Sequence, residues 1–125
     1  MYEKIIIYGT SKKEFPKEHD LIDYLSTGLS QLEEDRFRYT QCKDADVIVI
    51  SRNGLGYGHL IVNEKIKPTK KDIKNFPPVK CTYLINKSVV YNNPVKLYND
   101  FGIRVSSFGT YITQEQFEEI LKKAS

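Results

Sequence analysis

The sequence lacks any long hydrophobic run and is poor in cysteine and histidine. None of its stretches approaches the roughly 20 consecutive apolar residues that a bilayer-spanning helix needs, so no membrane segment is expected. The opening MYEKIIIYGT turns polar after a short apolar run and reads as a first strand rather than a signal peptide. Two cysteines, Cys42 and Cys81, stand far apart and outside any paired motif. They read as reduced thiols of a cytoplasmic protein, with one disulfide as the alternative. His19 and His59 are isolated and give no metal-ligand spacing, so neither a metal nor a cofactor is expected. Internal repeats, low-complexity stretches and linkers are missing too. The 125 residues therefore suit one domain with one modest core, spanning residues 1–125.

What is present begins with an uneven charge. The net charge is +3, yet residues 1–60 carry eight Lys and Arg against ten Asp and Glu, while residues 61–104 carry nine against three. Most of the surplus is lysine, including Lys65, Lys67, Lys70, Lys71 and Lys74. Such a patch attracts polyanions by neutralising phosphates. A merely solvated lysine-rich face gives the same composition.

Hydrophobic patterning outlines the elements. Lys4 to Tyr8 is a β-branched run typical of a buried strand. Pro16 suits a first helical turn, and Leu21, Ile22 and Leu25 follow at helical spacing until Gly28. Leu29 and Leu32 are read as a further short turn before the acidic Glu33-Glu34-Asp35, itself expected to be a solvated turn. Val47 to Ile50 is a strand and His59 begins another, with a glycine-rich hairpin between them. Residues 64–78, with Pro68, Pro77 and Pro78, read as a basic connection without regular structure. Lys80 to Ile85 is a strand, and Asn92-Asn93-Pro94 a turn before Val95 to Leu97. Thr113 followed by Gln116 gives a capping box for a last helix whose inner face is Phe117, Ile120 and Leu121. Strand, helix, several short strands and a final helix predict an α+β fold: a small curled mixed sheet or pseudo-barrel flanked by helices.

The glycine turn excludes one chemistry. Gly54, Gly56 and Gly58 lead into a strand, whereas a nucleotide-binding glycine loop needs a helix whose N-terminus holds the phosphate. No Gly-Lys-Ser/Thr sequence occurs either. The glycines are expected to serve a twisted hairpin at positive φ, with Asn53–Gly54 as its turn dipeptide. A cysteine nucleophile paired with His19 or His59 has no local signature, and buried structural cysteine is the commoner case.

The order of segments resembles the YTH domain, a member of the PUA-like group that also includes EVE and ASCH domains. The resemblance rests on DVIVISRNGLGYGHLIVNEK, on IIIYGTSKKEFPKEHDLIDYLSTG and on CTYLINKSVVYNNPVKL, and covers roughly residues 4–122. It implies a reader without catalysis of its own, which binds N6-methyladenine in DNA or RNA by flipping it into an aromatic pocket. DNA is the implied partner if the chain is the targeting part of an McrBC-type restriction protein, and RNA otherwise. The resemblance puts Tyr24, Leu25, Ser26 and Thr27 at the base, Thr10 and Ser11 at its border, Ser51 and Asn53 in the hairpin wall, and Phe76 as the second aromatic. Phosphates would meet Lys70, Lys71 and Lys74 around Phe76, with Arg52 and Arg104 beside them. The chain has no tryptophan, so a cage of Tyr24 and Phe76 is smaller and less polarisable than the family's. That leaves room for a modified cytosine or another nucleic-acid ligand, and further off for a small enzyme or a protein-interaction module.

Overall fold

The computed structural model describes residues 2–10, 12–27, 31–36, 45–66, 79–105 and 109–125. Six strands, β1 (Ile5–Thr10), β2 (Gln31–Arg36), β3 (Val47–Arg52), β4 (Leu55–Ile66), β5 (Val79–Lys96) and β6 (Thr110–Ile112), form one sheet in the order β2-β5-β4-β3-β1-β6. Strands β1 and β3 run parallel and the other pairs antiparallel, so the sheet is mixed. Among the described residues three helices accompany it: α1 (Glu18–Ser26), α2 (Leu97–Phe101) and α3 (Gln114–Ala124). None of the described helices is long and apolar enough to cross a membrane.

The two apolar runs explain the layering. Successive strand side chains point to opposite faces. Ile6, Tyr8, Ile48 and Ile50 therefore face one way, against Leu21 and Leu25 of α1. Ile5, Ile7, Val47 and Val49 face the other way, against Phe117 and Ile120 of α3. Both faces are covered, which is why these runs are continuous rather than alternating. Each fully buried aliphatic side chain contributes about 1.5–3 kcal/mol.

The expected curled, helix-flanked mixed sheet is present, with local corrections. Residues 31–36 are strand, not a helical turn, because they pair along β5; Glu33-Glu34-Asp35 lies within that strand rather than in a turn. Strand β4 starts at Leu55, so the hairpin loop shrinks to Asn53 and Gly54, and the strand continues to Ile66. Asn92-Asn93-Pro94 does not break β5. Register passes from Gly58↔Val90 to Gly56↔Val95, so Tyr91 to Pro94 bulge opposite Tyr57 and bend the strand. The capping box of α3 is present in full: Gln116 N–H donates to Thr113 Oγ1 at 3.1 Å, and Thr113 N–H to Gln116 Oε1 at 2.9 Å.

Candidate nucleic-acid interface

The parallel strands β1 and β3 end side by side, with Gly9 opposite Ser51 and Thr10 opposite Arg52. Side chains lock these ends together. Thr10 Oγ1 donates to the Ser51 carbonyl at 2.7 Å, and Ser51 Oγ donates back to the Tyr8 carbonyl at 2.9 Å. Beyond them the chain reverses through Asn53 (φ 54°) and Gly54 (φ 78°). Positive φ at both central residues is the type I′ signature, whose twist matches paired strands.

Arg52 determines what stands beside this turn. Its Nε donates to the Phe15 carbonyl and its Nη2 to the Pro16 carbonyl, both at 2.7 Å. It also meets the hydroxyl of buried Tyr57, which Glu18 of α1 contacts as well. Burial, followed by the Glu18 charge, raises the pKa of that hydroxyl. The segment before α1 is thus clamped onto the hairpin. An open hollow of about 270 Å³ results. Gly9, Thr10 and Ser51 lie at the strand ends, Asn53 and Gly54 on one side, and Glu14 and Val105 complete the lining.

The structure brings Thr10, Ser51 and Asn53 together in this hollow. The segment from Tyr24 to Thr27 does not line it. Tyr24 is half-buried, its ring tilted against Phe15 with centroids 5.2 Å apart. Leu25 has no side-chain surface to offer a base: it lies one helical turn after Leu21 and is sealed against the sheet. The exposed Ser26 and Thr27 hydroxyls donate to their own helix, to the carbonyls of Ile22 at 2.7 Å and Tyr24 at 2.8 Å. Ser51 Oγ is buried and its proton is committed to Tyr8. Arg52 is used as a loop clamp, with two of its donors on carbonyls rather than turned to solvent. Arg104 is exposed and sits 5.8 Å from the ring centroid of Tyr98. Ser11, Phe76, Lys70, Lys71 and Lys74 lie outside the described residues.

Three neighbours escaped the sequence reading. Glu14 and Phe15 look like ordinary loop residues until Arg52 is seen to fix their position. Val105 sits beside α2, a helix too short to show a period. His59, in contrast, is withdrawn from solvent chemistry. It is buried, with Nδ1 and the Tyr91 hydroxyl sharing a hydrogen bond of 2.9 Å and Phe117 set edge-on to its ring. Burial, and then the Lys87 charge, push its pKa down to about 4.

The backbone arrangement was compared with solved structures. The ASCH protein of Zymomonas mobilis superposes with a TM-score of 0.66 at 9% identity, over 98% of this chain and 96% of that one. A serine-to-alanine variant of it gives 0.67 at 9% identity, over 98% and 97%. The chain has the fold of an ASCH domain. No family model matches the sequence, and neither does any curated protein. The resemblance read from the sequence was to the YTH domain, whereas the structural likeness is to an ASCH protein and is one of fold alone. In this ASCH fold the hollow lies where the parallel pair ends and the glycine hairpin turns.

Proposed function

We propose that the chain is a nucleic-acid-binding domain that receives an extruded modified base, N6-methyladenine first, in the hollow at the ends of β1 and β3. The observation that carries this reading is the convergence of Thr10, Ser51 and Asn53 with Glu14 on one open cavity. Asn53 presents both an amide donor and an acceptor, the pair that matches the N6/N7 edge of adenine. A methylated amine keeps a single hydrogen, which goes to the Asn53 amide oxygen, and the Glu14 carboxylate beside it adds negative potential around that N–H. Val105 gives the methyl group an apolar neighbour. The lysine-rich residues 61–104 supply phosphate contacts, which position a strand without reading it. The domain reads the base and performs no catalysis. DNA is its target within a restriction system, and RNA otherwise.

Glu14 also favours a second reading, a modified cytosine, since carboxylates accept from cytosine N4. Anisotropy titrations decide between the two, using otherwise identical single strands of DNA and RNA that carry one N6-methyladenine, one 5-methylcytosine or no modification. The expected order puts methyladenine tightest, with affinity falling as salt rises. Asn53→Gly keeps a Gly-Gly turn of the same type. It should remove roughly 5- to 150-fold of discrimination, the value of one good bidentate base contact. Equal affinity for every probe, or discrimination unchanged in Asn53→Gly, overturns the base-reading proposal.

A further inference from the structure

The hairpin tip has a second side. Asn53 and Gly54, which bound the base hollow, also bound another of about 260 Å³, formed with Leu55, Lys96, Tyr98 and Asn99. Tyr98 is 55% exposed, one of two large apolar side chains left so among the described residues. The backbone that carries it is nevertheless tied down. Leu97 N–H donates to the Gly54 carbonyl at 3.1 Å, tying the start of α2 to the turn. Gly102 N–H donates to the Tyr98 carbonyl at 2.8 Å and closes the helix. Arg104 lies over the ring at 5.8 Å, and Lys96 lines the same hollow. Asp100 is two positions along α2, a spacing at which side chains do not share a face.

We infer that Tyr98 is a stacking platform for the nucleotide next to the extruded base, with Lys96 and Arg104 against its phosphates. The inference rests on the reading of the first hollow as a base site. An exposed aromatic ring with two cations nearby suits a single nucleic-acid strand: every base has a π face, and the neighbouring positive charge meets the backbone. The base takes the ring face turned away from Arg104. The shared wall of Asn53 and Gly54 makes the two hollows adjacent, so one strand crosses the hairpin tip with consecutive nucleotides on either side. Stacking is sequence-tolerant, so this subsite adds affinity and register, not selectivity.

The test uses the full chain and the same single-stranded probes, together with probes in which each position flanking the modified base is made abasic in turn. Tyr98→Ala should weaken modified and unmodified probes alike, by roughly 5- to 150-fold, the range for one stacked base. Tyr98→Phe should bind as the parent does. One flanking abasic position should reproduce the loss in the parent protein and cost nothing further in Tyr98→Ala, as expected for two halves of one contact. The platform is overturned, with the base site intact, if Tyr98→Ala binds like the parent or if the two losses add. It is also overturned if Tyr98→Ala abolishes discrimination between modified and unmodified probes, since Tyr98 would then belong to the base pocket. If the parent binds none of the probes, both readings fall together. Because Tyr98 is exposed, its removal leaves the core untouched.

Discussion

Gly58 is held by its neighbours rather than by its own backbone. A Cβ placed there would lie 2.3 Å from the Val89 carbonyl oxygen and 3.0 Å from a Leu25 methyl. The methyl has some room to move, but the carbonyl belongs to a paired strand and does not. Gly56 differs, for its added carbon meets only side-chain methyls of Leu97 and Val49 at 3.6–3.7 Å, ordinary contact. Gly54 differs again: an added carbon meets nothing, and the constraint is its φ of 78°. Gly58→Ala is therefore expected to destabilise the fold by about 1–3 kcal/mol, the usual cost of overpacking, and Gly56→Ala by distinctly less. Urea unfolding followed by circular dichroism measures both. Equal midpoints for the two variants would mean that β5 does not press on Gly58. The three glycines were visible in the sequence as an alternating set, and positive φ was expected of them all. Only Gly54 has it. The close approach at Gly58 is a tertiary fact, set by a strand some thirty positions downstream.

The segment before α1 owes its place to one side chain on β3. Arg52 reaches two carbonyls with a planar fork that lysine cannot imitate. Arg52→Lys keeps the charge and loses the clamp. Base discrimination should therefore fall, because the segment that carries Glu14 is held less firmly beside the hollow, while the salt dependence of binding stays as it was. Stability should drop by about 1 kcal/mol, below the roughly 1.5–3 kcal/mol usual for a hydrogen bond to a charged group, since Arg52 is only half-buried. A phosphate contact predicts the reverse: Arg52→Lys would then keep discrimination, and Arg52→Gln would lower the salt slope by about one ion. Titrations of both variants at several salt concentrations separate the roles. The same local logic governs which elements could be read beforehand. The box of Thr113 and Gln116 and the Asn53–Gly54 turn are built from neighbours in sequence, and both were legible. The residues Gln31 to Arg36 contain no β-branched side chain, and they form a strand because β5 offers them an edge. The five residues of α2 show no periodicity, which hid Tyr98 and Val105 from the sequence reading.

At the scale of the whole molecule, the sheet divides the interior into two layers; IIIY read as a buried strand and VIVI as a strand, and it is the packing of α1 and α3 on opposite faces that covers both runs on both sides. Among the described residues, the layer under α3 includes a buried polar pair, His59 and Tyr91. Burial pushes the Tyr91 hydroxyl pKa well above its ordinary range, so it remains protonated, and it lowers that of His59 to about 4. In the unfolded chain a histidine titrates near 6.5. Above that value the imidazole is neutral in both states and pH has no effect through it. Between about 6.5 and 4 the unfolded chain binds a proton that the folded protein refuses, so stability falls as pH falls. At about 1.4 kcal/mol per pH unit the loss through this residue totals roughly 3 kcal/mol by the foot of the window. The Lys87 charge acts in the same direction, so charging His59 in place has no compensation from that side. His59→Gln retains a hydrogen-bonding group for Tyr91 and cannot titrate. It should be less stable than the parent at pH about 7 and should lose distinctly less on going to about 4.5, which urea midpoints at the two pH values will measure. Carboxylates elsewhere titrate alike in both proteins and cancel in the comparison. If parent and His59→Gln lose the same stability over that interval, the buried imidazole is not what makes this fold acid-sensitive.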